Sequence, residues 1–226
     1  MNHPPSTPTP AESAQSRRLV SRLVTRLAYD YEALFTESEV AVLFEDSLER
    51  LLSKARVTTF VPTLADKLTR ERLVARAQAE GKVAKHVPEV LFVCVQNAGR
   101  SQMAAALARH YAGPALHIRT GGSRPGEQIH PEVVQAMKEI GVSLDEEFPK
   151  PLTDEVLAAA DVVVTMGCGD ECPYVPGRRY EDWPIEDPAT ASVEGLIDIR
   201  HGVDVRVRGL LASLLPELTL PPRLTP

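Results

Sequence analysis

Two short runs of almost unbroken apolar character, EVLFVCV at residues 89–95 and DVVVTMG at 161–167, constrain this chain more than any other feature. A strand with one face in water alternates apolar and polar side chains. A strand apolar at successive positions is covered on both faces, the condition of a parallel sheet with helices above and below it. A third strand lies in LHIRTGG, and a short fourth in RRYEDW within a long Gly- and Pro-rich loop over 167–190. Helices are predicted from Ser101 to about Tyr111, over 131–140 ended by Gly141, over 153–160, and in the closing stretch VEGLIDIRHGVDVRVRGLLASLL. Strands alternating with helices predict an α/β unit over residues 85–226, built on a four-stranded parallel sheet flanked by helices. The end of the chain, PPRLTP, reads as frayed.

The first third of the chain has a different period. MNHPPSTPTPAES is rich in Pro, Ser and Thr, so residues 1–13 read as a disordered tail. Val20, Leu23, Val24 and Leu27 then share one helical face. Thr36 to Glu39, TESE, is a capping box, followed by Val40, Leu43, Phe44, Leu48 and Leu51 at helical spacing. A third helix is predicted from about Thr63, just after Pro62, to near Gly81. Residues 14–84 thus form a small three-helix bundle. A core of that size is marginal alone, which predicts packing against the rest of the chain or a second copy as a homodimer.

Composition excludes several classes. No apolar run approaches a membrane span, and the start lacks the basic and apolar regions of a signal peptide. Three cysteines, an odd number, argue against a secreted disulfide framework, so a cytoplasmic location is expected. Residues 1–84 hold 12 Lys+Arg against 11 Asp+Glu and residues 85–226 hold 13 against 20, summing to the chain's 25 and 31. Neither half advertises a nucleic-acid partner, and an anion bound by the acidic half must be captured by local groups.

Cys94 ends the first strand, and Ser101 opens the next helix. In an open parallel sheet, ligands sit beyond the carboxyl ends of strands, at the start of helices. The intervening Val95, Gln96, Asn97, Ala98 and Gly99 must turn tightly, with backbone N–H groups inward. Such a nest beside a helix N-terminus binds a tetrahedral oxyanion, and Arg100 adds a bidentate grip. The same positive potential favours a Cys94 thiolate, a nucleophile to which Ser101 can donate a hydrogen bond. Asn97 and Gly99 suit the backbone angles of such a loop. The competing reading is a core cysteine beside a chance arginine. Asp187-Pro188, in a loop, is by itself a turn signal. Paired with Cys94 it is a candidate general acid.

The C-x5-R-S stretch at Cys94 to Ser101 resembles the phosphate-binding loop of the low-molecular-weight protein tyrosine phosphatase superfamily, in which Asp187 stands where the family keeps its general acid. Ala189 follows Asp-Pro where the phosphatases carry an aromatic residue that recognises phosphotyrosine. RSQMA at 100–104, DPA at 187–189, and Cys168 and Cys172 in TMGCGDECP resemble the thioredoxin-coupled arsenate reductases of the same fold. The N-terminal helices resemble a three-helix extension preceding some bacterial members. The resemblance implies that the Cys94 thiolate attacks arsenate while Asp187 protonates the leaving oxygen, with phosphate or sulfate competing as oxyanions. A second thiol then releases arsenite. That thiol is Cys168, with Cys172 carrying the disulfide outward to thioredoxin, or an external one such as mycothiol with a glutaredoxin-like partner. The C-x3-C spacing is closer than the thioredoxin-coupled enzymes use, and with the arginine-rich composition it inclines the reading towards the small thiol. In that variant Cys168 and Cys172 are structural. Ala105 occupies the place of a potassium-binding glutamate, so no metal site and no bound cofactor are expected.

Two alternatives stand beside this one. A phosphatase acting on phosphotyrosine or a small molecule needs Cys94, Arg100 and Asp187 but neither Cys168 nor Cys172. An arsenite or metal sensor would use the three cysteines as soft ligands. His117, His130 and Trp183 read as surface, turn and packing residues, and Arg178-Arg179 as a solvated turn able to draw in an anion.

Overall fold

A computed structural model describes residues 10–167 and 173–224, in two compact units dividing between Val83 and Ala84. The first unit contains α1 (Pro10–Asp30), α2 (Glu37–Leu52) and α3 (Val61–Ala79). The helix begins at Pro10 rather than after residue 13, because proline is preset for a first helical position, where its missing N–H breaks no bond. α2 starts at the capping box: the Glu39 N–H donates to Thr36 Oγ1, and the Thr36 N–H donates to the Glu39 carboxylate. α3 starts two residues before the expected Thr63, with Pro62 in its first turn. It stops before Gly81, whose φ of +69 lets Lys82 and Val83 fold back onto the Ala77 carbonyl. Leu27, Phe35, Val40, Phe44, Ala65 and Leu73 fill the centre of the bundle.

The second unit runs β1 (Glu89–Cys94), α4 (Arg100–Ala112), β2 (His117–Gly122), α5 (Pro131–Lys138), α6 (Asp154–Ala159), β3 (Val162–Met166), β4 (Arg179–Asp182) and α7 (Val193–Leu214). The four strands form one sheet in the order β2-β1-β3-β4, every pair parallel. All of β1 is buried, as its apolar run requires. Val90, Phe92 and Cys94 join the cluster formed with α4 and α7, and Leu91 and Val93, equally buried, alternate to the opposite face. The chain leaves β1 for β2 on one side and returns to β3 on the other. The carboxyl end of β1, where Cys94 lies, is therefore the topological switch point of the sheet.

At the opposite end of β1, Glu89 is fully buried against Arg119, with His117 beside it at 3.3 Å. The expectation of a frayed C-terminus is corrected for residues 221–224, and Thr225 and Pro226 lie outside the described residues. Leu218, Leu220 and Leu224 pack against the core, Arg223 donates to Asp204 at 2.7 Å, and the Leu224 N–H reaches the Tyr111 hydroxyl. Apolar side chains interspersed among prolines still find a surface when a long helix offers one. No helix among the described residues is long and apolar enough to cross a membrane.

Candidate active site

The turn after Cys94 is shaped from outside. The backbone N–H groups of Ser123, Arg124, Gly126 and His130 donate to the carbonyls of Cys94, Val95, Gln96 and Ala98 at 2.8–3.3 Å. The side-chain amide of Gln102 takes the Asn97 carbonyl, and the Met103 N–H takes that of Gly99. A trans peptide sets its N–H opposite its C=O. Carbonyls drawn outward along 94–99 therefore turn the following N–H groups inward, which is how a backbone nest binds an anion.

Asn97 is the one non-glycine residue with positive φ among those described, at +48. Gly99 does not use the left-handed region. Its φ is −141, and what it supplies is space, since a Cβ there would lie 2.6 Å from Pro188 Cγ and 3.3 Å from His130 Cδ2. Gly122, at the end of the neighbouring strand, is needed for the same reason: its Cβ would meet the Val95 carbonyl oxygen at 2.8 Å.

Cys94 is buried and reduced, its sulfur 3.0 Å from Ser101 Oγ on the first turn of α4. Ser101 Oγ accepts from Asn97 Nδ2 at 2.8 Å, leaving its own hydrogen for the sulfur. Arg100 reaches across to the loop that holds Asp187, donating to the Ile185 carbonyl at 3.2 Å and to Asp187 Oδ2 at 3.3 Å. It passes over Gly167, where a Cβ would lie 2.7 Å from its Nη1. Asp187 is half exposed and caps a short 3-10 turn, its other oxygen accepting from the Ala189 N–H. Cys94, Arg100, Ser101 and Asp187, 93 residues apart in sequence at the extremes, thus meet at one edge of the sheet.

Cys168 and Cys172 lie outside the described residues. Among those described, no three His, Cys, Asp or Glu side chains gather as a metal-ligand set. His130 is more than a turn residue, because its ring lies against the turn after Cys94 at Gly99. Trp183 is buried and tilted against Phe92 at 5.8 Å, a packing role. The turn expected at Arg178-Arg179 is corrected for its second residue: Arg178, half-buried, donates to the Ala158 carbonyl, while Arg179, exposed as expected, lies in β4, bonded to Glu181 and Ser213. Gly122, Gly167, Gln102, Thr120 and Lys150 escaped the sequence reading. Only the Gly-Gly at the end of a predicted strand and the Gln of RSQMA carried a signal.

The family model for the low molecular weight phosphotyrosine protein phosphatase matches residues 89–219, more than half of the chain. A second, for the N-terminal domain of protein-tyrosine-phosphatase-like proteins, matches residues 20–77. The structure is similar to that of a thioredoxin-dependent arsenate reductase of Corynebacterium glutamicum, with 42% identity, a TM-score of 0.82, and coverage of 88% of this chain and 98% of that one. An arsenate reductase of Bacillus subtilis is 33% identical over 57% of this chain and 92% of its own. A glutaredoxin arsenate reductase of a Synechocystis species is 31% identical over 56% of this chain and 98% of its own.

Proposed function

The chain belongs to the low molecular weight phosphotyrosine protein phosphatase family, and from that premise we propose that it reduces arsenate to arsenite with electrons supplied through thiols. The observation that carries this reading is the Cys94 sulfur, held at 3.0 Å from Ser101 Oγ at the base of a loop whose carbonyls are all engaged outward. Arsenate, a tetrahedral oxyanion, takes the inward N–H groups and the Arg100 guanidinium. Its binding replaces the Arg100–Asp187 contact and leaves Asp187 beside the substrate. The Cys94 thiolate attacks arsenic as Asp187 gives a proton to the departing oxygen. A second thiolate then attacks the Cys94 sulfur, the sulfur–arsenic electron pair stays on arsenic, and arsenic(V) becomes arsenic(III) with a disulfide left behind.

The second thiolate is Cys168, with Cys172 passing the disulfide to thioredoxin. This replaces the inclination towards a small thiol. The support is the Corynebacterium glutamicum enzyme, which covers both units of this chain and is thioredoxin-dependent. The odd cysteine count favours the cytoplasm. Phosphate and sulfate compete for the loop. The helical unit pairs with a second copy, since it exposes Tyr29, Val42, Val57 and Phe60 around a small core.

NADPH consumption with arsenate tests the reading, with thioredoxin plus its reductase compared against mycothiol plus its redoxin. Turnover with thioredoxin that vanishes in both Cys168→Ser and Cys172→Ser is expected. Turnover only with mycothiol, and unaffected by those substitutions, would move the second thiol outside the chain. Phosphate ester hydrolysis without arsenate reduction would return the chain to the phosphatases.

A further inference from the structure

We propose that Gln102, which touches neither the cysteine nor the anion loop's mouth, is the positioning residue that aims a hydrogen bond at the Cys94 sulfur. The proposal rests on reading Cys94 as the nucleophile. Gln102 lies one residue past Ser101 and is fully buried. Its Nε2 has three acceptors in reach: the Asn97 carbonyl at 3.2 Å, Asn97 Oδ1 at 3.1 Å and the Phe148 carbonyl at 3.2 Å. An amide carries two N–H bonds, so one of them is shared, and Gln102 grips the left-handed Asn97 by both its main chain and its side chain.

Asn97 Oδ1 is the meeting point. Besides Gln102 it accepts from the Lys150 backbone N–H at 2.8 Å and from Thr120 Oγ1 at 3.4 Å. An oxygen facing that many donors cannot exchange places with its own NH2 group. The amide is locked with Nδ2 towards Ser101 Oγ, and Ser101 must then direct its hydrogen to Cys94. Each bond polarises the next in one direction, from Gln102 through Asn97 and Ser101 to sulfur. A developing negative charge on sulfur is what such a chain stabilises.

Packing alone does not account for this side chain. Gln102 Oε1 is buried without a hydrogen-bond partner among the described residues. A methionine of similar volume would leave no such orphan. The amide is useful for its donors, and all of them point at the loop and the segment behind it.

The test uses the full-length chain and needs no arsenate. Iodoacetamide alkylation of Cys94 is followed across pH by mass spectrometry of the peptide carrying it, with circular dichroism reporting the fold. Gln102→Met should slow alkylation near neutral pH by about tenfold yet leave the rate at alkaline pH within about twofold of the parent. Gln102→Glu keeps the shape but sets an acceptor against three acceptors, and should slow it at least as much. Thr120→Val removes the longest donor and should slow it by about twofold. A merely structural role would lower the melting temperature without changing the shape of the pH profile.

Folded Gln102 variants with the parent's profile would overturn the proposal. If neither folds, an unmoved profile in Thr120→Val would do so. A parent that alkylates readily at neutral pH but reduces no arsenate would instead sink the proposed function and leave this relay standing.

Discussion

Where the helical unit buries Arg72, donating to Asp46 and Ser47 between α2 and α3, the α/β unit buries Phe92 and Val164 in the middle of its sheet. The helical unit is laced by arginines that cross between helices: Arg26 meets Asp66, Arg70 meets Asp30, and Arg76 meets Glu39. Its apolar centre is small, so these charges set the register of three helices that apolar burial alone aligns weakly. In the α/β unit the apolar sheet supplies the stability, and the buried polar groups behind the loop (Asn97, Ser101, Gln102, Thr120) are arranged around one sulfur. Buried polarity holds helices together in the first unit; in the second it pairs Glu89 with Arg119 at one end of β1 and surrounds Cys94 at the other.

The largest expected effect lies wholly in the α/β unit. Cys94→Ser should abolish arsenate reduction, because a serine hydroxyl neither ionises here nor transfers electrons, while thermal unfolding of both units stays as in the parent. Retention of more than trace turnover in the pure variant would remove Cys94 from its role. Gly99→Ala should lower turnover by roughly a hundredfold, the contribution of a placed general acid, because its Cβ meets Pro188 and pushes the Asp187 loop outward. Cys94 alkylation should persist in that variant. Normal single-turnover rates would show that the acid loop tolerates the shift.

The helical unit should break differently. Phe44→Ala empties the centre of its core and should cost about 3–5 kcal/mol, enough to unfold a marginal bundle. Light scattering should report a dimer for the parent and a monomer for this variant, with turnover per active site nearly unchanged. A chain starting at Lys85 should likewise be monomeric and active, as the contacts joining Cys94, Ser101, Arg100 and Asp187 all lie within it. A monomeric parent would sink the dimer, and a folded but inactive truncation would give the helices a part in the site.

The smallest effect is electrostatic. The Thr36 backbone N–H and hydroxyl, then Arg76, hold Glu39 down to about 2 against an ordinary 4.5. A carboxylate depressed on folding contributes stability above its unfolded value and loses it as pH falls towards the folded one. Acid should therefore weaken the helical unit progressively below about 4.5, and Glu39→Gln should flatten that dependence. Thr36→Ala should cost roughly 1 kcal/mol at neutral pH, read from chemical denaturation. An unchanged acid profile in Glu39→Gln would assign the loss to other carboxylates.

Periodicity and punctuation were enough for the elements. EVLFVCV and DVVVTMG could only be covered on both faces, and TESE could only open a helix. The geometry of the turn after Cys94 was legible too, because Cys94, Asn97, Arg100 and Ser101 lie within eight residues, and local geometry follows local sequence. What the tertiary structure decided was every relation between distant segments. Arg100 meets Asp187 because β3 and the acid loop return to the carboxyl edge of β1. Gly99 and Gly122 are glycines because of Pro188 and Val95, which approach them through space. Gln102 reads as one more polar residue on a helix until Asn97 and Phe148 close around it. Chain period encodes which face is buried. Which groups share a hydrogen bond across the fold is set only when the sheet brings them within 3 Å or so of each other.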